Sequence, residues 1–194
     1  MIREFTIFCK LNFIKLSGEQ LFYRCMQDFS KKNLPCPCCH AKHPIWDSHD
    51  DYTRNLISFE NGIVVCAIIS VTRLICSSCK RTHAVLPEII VPHGSYSIIF
   101  ILNVLRDYYL KTYRVERLCD KYQISTSTLY AWKRLFLLHK KLWLGVLEDL
   151  SISASTFLSG IPCVDFSQKL YIFFQVQSVS FMQGVFKTAH YGHT

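Results

Sequence analysis

Ile63-Val-Val-Cys-Ala-Ile-Ile-Ser-Val-Thr-Arg-Leu-Ile75 runs directly into Cys76-Ser-Ser-Cys79. A segment this rich in Val, Ile and Thr favours a β-strand, and the Asn61-Gly62 pair in front of it is a tight-turn signal. The predicted strand therefore delivers a Cys-x-x-Cys motif. Such a motif can offer two thiolates to one metal ion, because the short turn points both sulfurs the same way.

A second motif of the same kind, Cys36-Pro-Cys-Cys39, lies upstream. Two such turns supply four sulfurs, and the sequence predicts a structural Zn²⁺ site with the ligands Cys36, Cys39, Cys76 and Cys79. The 36 residues between the motifs exceed the usual spacing of about 15–20, which longer hairpins accommodate. Some alternatives to these ligands stay open at this point, namely Cys38, His40, His43 and His83.

The chain holds 10 cysteines, which raises the alternative of a disulfide scaffold. Paired Cys-x-x-Cys motifs without a signal peptide are more often metal sites. We therefore expect reduced thiols, with the remaining cysteines as small buried apolar residues: Cys9, Cys25, Cys66, Cys119 and Cys163. A catalytic zinc is not expected, because neither His-x-Glu nor His-Glu-x-x-His occurs.

Downstream, a short helix is predicted over 115–122 and a longer one from Thr126, capped by Ser125. Leu129, Trp132 and Phe136 are spaced by three and four residues and should face the core. The opposite face is small and polar and can enter a DNA major groove. The residues expected to contact the bases are Ser127, Thr128, Tyr130, Ala131 and Arg134.

Positive charge is concentrated on this helix-turn-helix pattern. Residues 106–141 carry nine Lys/Arg against three Asp/Glu, a net +6 of the chain's total of +8. Clustered cations favour a polyanionic partner, because they release counterions condensed on phosphates, although a merely solvated basic face would carry the same charge. The residues expected to contact phosphates are Arg114, Arg117, Lys121 and Lys133. Lys80 and Arg81, beside the predicted zinc site, are further candidates for phosphate contacts.

The predicted fold class is α+β, a small zinc-ribbon β module followed by a three-helix helix-turn-helix module. Residues 1–34 form an N-terminal segment with short strands and a helix over Glu19–Ser30, and residues 35–92 form the β module. Within the latter, the polar stretch Trp46–Thr53 is expected to be a hairpin loop. Residues 93–150 hold the helices, the first of them capped by Ser95 or Ser97, and 151–194 form a tail of uncertain structure.

No segment of the sequence has the length and apolarity of a membrane span, since the longest unbroken apolar run is Ile63–Ile69. The opening residues lack the apolar core of a signal peptide. These features predict a cytoplasmic, nucleoid-associated protein that interacts with neither a membrane nor a small-molecule substrate.

The chain resembles the N-terminal part of bacterial insertion-sequence transposases, and also a family of short uncharacterised bacterial proteins with the same module. The matching stretches are Leu34–Cys39, Arg73–Cys79, Thr82–Pro87 and Ile124–Arg134. The resemblance implies a zinc ribbon and end-specific DNA binding. It departs from transposases after the helices, where about 55 residues with Glu148, Asp149 and Asp165 leave no room for a two-metal catalytic domain.

These patterns together predict a DNA-binding protein that is not an enzyme. Its expected partners are double-stranded DNA and either a separate transposase or a second copy of the chain. The alternative is a protein-interaction adaptor that binds through the zinc ribbon and the Leu-rich stretch Leu135–Leu150. A nuclease or transposase remnant is a third hypothesis, which would require Asp107 or Asp165 to act in metal-dependent cleavage.

Overall fold

The computed structural model describes residues 2–4, 17–27, 29–32, 34–146, 155, 158 and 181–184. Its elements are β1 (Ile2–Glu4), α1 (Gly18–Gln27), β2 (Trp46–Glu60), β3 (Ile63–Cys76), β4 (Thr82–Pro87), α2 (Ile98–Tyr109), α3 (Val115–Tyr122) and α4 (Thr126–Val146). The α+β class is confirmed. The described elements include four helices in place of the three counted for the helix-turn-helix module, and the fourth, α1, corresponds to the helix predicted over Glu19–Ser30 in the N-terminal segment.

One sheet holds the four strands in the order β1-β4-β3-β2. β2, β3 and β4 are antiparallel neighbours, and β1 joins the edge of the sheet parallel to β4. The long hairpin of β2 and β3 turns at Asn61-Gly62, where both residues have positive φ, +50° and +86°. Two left-handed residues give a turn whose twist matches the flanking strands, so the predicted turn is confirmed.

The stretch Trp46–Thr53 is not a loop, and that prediction was wrong. β2 begins at Trp46, which pairs with Cys76 at the far end of the hairpin. Pairing with β3 overrides the low strand preference of the aspartates here. The strand register shifts between His49 and Tyr52. Asp50 and Asp51 lie at this shift and are exposed, so their carboxylates remain in contact with solvent.

The sheet and the helices share one apolar core. Leu56, Ile69 and Val71 from the hairpin pack in the same cluster as Phe22 of α1 and Ile98 of α2. Gly18 permits α1 to approach the hairpin, because a Cβ at this position would lie 2.8 Å from Ser58 Cβ. The core therefore crosses the predicted boundary near Pro92.

Several local expectations can be compared with the structure. Cys25 and Cys119 are buried as predicted. Cys66 is exposed on β3, on the side of the strand where Ile68 and Ser70 are also exposed, so that prediction was wrong. Phe181 and Met182 are buried in a turn. Cys9 and Cys163 lie outside the described residues, as do most of the tail at 151–194 and residues 5–16, where further short strands of the N-terminal segment are predicted.

Candidate metal centre and nucleic-acid interface

The four predicted metal ligands come together in space. The sulfurs of Cys36, Cys39, Cys76 and Cys79 all lie within 4.8 Å of one another and could hold a metal ion. The Sγ–Sγ distances of the Cys36–Cys79 and Cys39–Cys76 pairs are both 3.8 Å. The eight cysteines in the described part of the chain are all free thiols, so none of these eight forms the disulfides considered from the sequence.

Both cysteine turns have the same backbone geometry. In each turn, the backbone carbonyl of the first cysteine accepts a hydrogen bond from the N–H of the residue four positions later. The N–H of the same cysteine donates to the carbonyl of the residue five positions later. The donors to Cys36 and Cys76 are His40 at 3.0 Å and Lys80 at 2.8 Å; the acceptors are Ala41 and Arg81. His40 and Lys80 also share a left-handed φ of +58°. Two unrelated stretches thus form the same turn, which aims two sulfurs at one point.

The β-sheet holds the two turns against each other. Ser77 N–H donates to Ile45 O, and Ile45 N–H donates to Ser77 Oγ, both at 3.0 Å. Trp46 pairs with Cys76 at the end of the hairpin, and its indole N–H donates to Leu34 O at 3.0 Å. The segments on both sides of the first turn are therefore connected to the second turn, Leu34 through the Trp46 indole and Ile45 through Ser77.

Electrostatics at the sulfurs favours a bound cation. Burial opposes the Cys76 thiolate, but the backbone N–H groups of Cys79 and Ser78 stabilise it and lower the pKa of Cys76 to about 6. The N–H of Arg81 favours the Cys79 thiolate, yet burial and the neighbouring sulfurs raise the pKa of Cys79 to about 12. Sulfurs this close compete for negative charge, and a divalent cation relieves the competition by replacing their protons.

The alternative ligands lie outside this group of four sulfurs. Cys38 contributes its backbone N–H, which donates to Cys36 Sγ at 3.4 Å, while His40 and His43 are exposed. His83 Nε2 lies 3.5 Å from Cys36 Sγ but is not among the ligand atoms that lie within 4.8 Å of one another.

The helices α3 and α4 are joined by a tight connection. Gln123 ends α3 in the left-handed conformation with φ +50°, and Ile124 N–H donates back to Cys119 O at 3.0 Å. Ser125 Oγ then accepts from Thr128 N–H at 3.1 Å and caps α4 as predicted. This connection fixes where α4 starts.

The inner faces of these helices pack as the sequence predicted. Leu118, Cys119 and Leu129 are buried in one cluster with Phe100 and Val104 of α2. Trp132 is half-buried, and its ring packs edge-on against Tyr96, 4.9 Å between centroids. Phe136, one turn further, is fully buried.

The predicted base-contacting residues lie on the outer face of α4. Ser127, Tyr130, Ala131 and Arg134 are all exposed, and the Tyr130 side chain is 46% exposed. Thr128 is half-buried because its hydroxyl lies 2.8 Å from Ser125 Oγ in the cap.

The predicted phosphate contacts fall into two groups. Arg114, immediately before α3, and Arg117 are exposed. Lys133 and Lys121 are half-buried and have partners within the protein: Lys133 Nζ donates to Tyr108 Oη at 3.0 Å, and Lys121 Nζ lies 2.8 Å from Asp107 Oδ2.

Lys121 is also surrounded by aromatic rings. Its Nζ lies 4.5 Å from the centroid of Tyr113, 4.8 Å from Tyr122 and 5.4 Å from Phe59, and Tyr122 Oη donates to Asp107 at 2.9 Å. No sequence pattern predicts these surroundings of Lys121. Apart from the adjacent Tyr122, these partners come from β2, α2 and the segment before α3, and no local spacing connects them to Lys121.

Residues 36–132, half of the chain, match the model of a family described as a domain of unknown function, DUF6431. The matched segment begins at the first cysteine of the metal centre and ends within α4. No curated protein and no solved structure matches the chain. Within the described residues, none of the helices is long and apolar enough to cross a membrane.

Proposed function

The chain belongs to the DUF6431 family, and we propose that it is a zinc-stabilised DNA-binding protein that reads duplex DNA with α3 and α4 as a helix-turn-helix. The observation that carries the proposal is the capped start of α4, which is followed on one face by the exposed residues Ser127, Tyr130 and Arg134. A small polar face at the start of a second helix can enter a major groove and touch base edges.

The metal in this proposal is zinc, and its role is structural. Four thiolates about 2.3 Å from one zinc ion would lie about 3.8 Å apart, which agrees with the two sulfur pairs measured at 3.8 Å. Soft thiolate ligands favour zinc over hard cations such as magnesium. Four protein ligands close the coordination sphere, so the ion would fasten the turns of a zinc-ribbon module without activating water.

Each group of cations has a different part in this proposal. Arg134 contacts a base edge, and Arg114 and Arg117 contact phosphates beside the groove. Ser127, Thr128 and Ala131 bring α4 close to the base edges because their side chains are small. Lys80 and Arg81, exposed beside the second cysteine turn, extend the phosphate contacts to the zinc-ribbon module.

The proposal assigns no catalytic step to this chain. A resemblance to the DNA-binding part of transposases supports a role at the ends of mobile elements, with a separate transposase or a second copy of the chain as partner. The corresponding location is the cytoplasm, at the nucleoid.

Selection of bound sequences from a random duplex pool tests the proposal, with zinc quantified on the same sample. We expect one zinc ion per chain, an enriched motif, and an affinity whose logarithm falls linearly with the logarithm of salt concentration. A pool that stays random, bound with no salt dependence by zinc-loaded protein, would show that the protein does not read DNA.

A protein-interaction adaptor is the second candidate, and one observation favours it. Leu137 and Leu138 on α4 are 45% and 47% exposed, and exposed leucines favour binding to a partner protein. An adaptor would associate with its partner independently of salt and would retain this binding when Arg134 is neutralised, which distinguishes it from a DNA reader.

A further inference from the structure

His83 is the residue of the Thr82–Pro87 stretch that approaches the metal centre. It lies on β4 opposite Leu74, its side chain is only 4% exposed, and its Nε2 is 3.5 Å from Cys36 Sγ. A buried imidazole at this distance from a sulfur can donate an N–H···S hydrogen bond, since bonds to sulfur are longer than bonds to oxygen.

Packing fixes the orientation of the His83 ring. The indole of Trp46 lies edge-on to it, with the ring centroids 5.4 Å apart and the planes at 87°. The indole is itself anchored by its hydrogen bond to Leu34 O. The nitrogen is therefore held toward Cys36 by two neighbouring elements, β2 and the segment before the first cysteine turn.

Charge explains why such a donor would matter. Zinc with four thiolates carries a net charge of about −2, and N–H donors around the sulfurs offset this charge. The donors to the sulfurs described above, at residues 38, 78, 79 and 81, are backbone groups. His83 differs from them because it is a side chain.

We propose that His83 is a positioning residue that donates its Nε2 proton to the Cys36 thiolate and holds this sulfur on the metal without binding the metal itself. The inference rests on the metal centre of the proposed function and is independent of DNA binding. The imidazole acts in its neutral form with the proton on Nε2, so no proton is transferred.

Two variants separate the hydrogen bond from the packing. His83→Phe keeps a flat ring against Trp46 but removes the donor, whereas His83→Gln places an amide N–H near the position of Nε2. Loss of an outer-shell donor typically weakens metal affinity about 10- to 100-fold. We expect this loss for His83→Phe in competition with a chromophoric chelator, with most of the affinity restored in His83→Gln.

Cobalt substitution reports on the sulfur directly. In the Co²⁺-loaded protein, His83→Phe should shift the sulfur-to-cobalt charge-transfer band, because the Cys36 thiolate loses a hydrogen bond, and His83→Gln should shift it less. Wild-type affinity and an unchanged band in His83→Phe would contradict the proposal.

A measurement on the wild-type chain covers the case in which the variants do not fold. In protein loaded with an NMR-active cadmium isotope, coupling across the hydrogen bond should connect the metal to the Nε2 proton of His83. The Cys38 amide, which also donates to Cys36 Sγ, is the internal control. Coupling to Cys38 but not to His83 would overturn the inference, as would direct metal–nitrogen coordination. Failure to take up any metal would overturn the metal centre as well.

Discussion

Arg134 is an exposed guanidinium on the same face of α4 as Ser127 and Tyr130. If this face reads bases, Arg134→Ala should weaken specific binding by about 1–3 kcal/mol and relax sequence preference at one position. Gel-shift titrations on the selected sequence and on a scrambled duplex would measure both effects.

Arg24→Ala is the matched control for this prediction, because Arg24 is also exposed but lies on α1. It removes the same charge from the molecule. An equal loss of affinity in both variants would mean that Arg134 acts only through net charge and does not read a base.

At the scale of single residues, the sequence predicted what depends on local spacing. The four cysteines were identified because two residues between them place both thiolates on one turn, and Ser125 because a serine before an apolar periodicity is a cap. The partners of Lys121 and His83 were not predicted. Asp107 and Cys36 reach them from distant parts of the chain, and only the tertiary fold determines such contacts.

The start of α4 depends on the Ser125 cap. Ser125→Ala should lower the free energy of unfolding by about 1 kcal/mol, because the Thr128 N–H loses its acceptor. Chemical denaturation of the zinc-loaded protein would measure the change. Ser125→Asn is the matched control, since asparagine also caps helices well; if it destabilises as much as alanine, the cap does not account for the effect.

The orientation of α3 depends on the ion pair of Lys121 and Asp107. Lys121→Met should lower the free energy of unfolding by about 1–3 kcal/mol, because it leaves the Asp107 carboxylate, only 6% exposed, without its ammonium partner. Adding Asp107→Asn to Lys121→Met should recover part of the lost free energy of unfolding. Chemical denaturation of the wild type, the two single variants and the double variant would measure this coupling.

DNA binding separates this role from the phosphate contact predicted for Lys121. Loss of a phosphate contact, as expected for Arg117→Ala, reduces the magnitude of the salt slope by about 0.9. Lys121→Met should leave the slope unchanged if its ammonium stays with Asp107. A reduced salt slope in Lys121→Met would show that Lys121 contacts a phosphate.

Elements with strong periodicity were predicted most closely. α3 was placed at 115–122, where the structure has it, because its apolar positions, its boundaries and the following turn agree with one another. The first half of β2 was missed, because aspartates and serine favour turns locally and strand pairing with β3 decides the outcome. In a hairpin of this length, pairing with β3 outweighs the local turn preference of these residues.

For the molecule as a whole, His139 makes stability depend on pH. Burial lowers the pKa of His139 from 6.5 to about 4, so between these values the unfolded chain binds a proton that the folded chain does not. Stability is therefore complete above pH 6.5 and falls as the pH decreases toward 4. Denaturation across this range should show a shallower decline for His139→Gln than for the wild type.

If the cysteines bind zinc as proposed, acid also protonates them and releases the ion. That loss is common to both proteins, so the difference between them isolates His139. Parallel curves for wild type and variant would show that the histidine is not buried in its neutral form in solution.

Removal of the metal should affect the sheet more than the helices. The apolar cluster around the cysteines is small, with Ile2, Trp46, Leu74 and Val85 as its main members, whereas α2 packs both in the larger cluster shared with the hairpin and in the cluster with α3 and α4. We expect a chelator to abolish protection from hydrogen exchange at 36–49 and 73–84 while much of the protection in α2 remains. Unchanged exchange after complete removal of the metal would mean that it does not stabilise the sheet.

The shared core shows what the sequence could not reveal at this scale. The change from strand-like to helical sequence patterns predicts a boundary between two modules near Pro92. Yet Ile89 and Ile90 before this point and Ile98 after it are fully buried in the same cluster, and local patterns do not report which apolar faces meet.

The position of the Asn61-Gly62 turn, at the opposite end of the hairpin from the sulfurs, determines an order of events during biosynthesis. The turn leaves the ribosome before Cys76 does, and pairing of the strands can proceed from it toward Trp46 as the rest of β3 emerges. On this route the two cysteine turns come together last, because they lie at the end of the hairpin where Trp46 pairs with Cys76. If the four sulfurs hold zinc as proposed, the ion can bind only after both cysteine turns have left the ribosome.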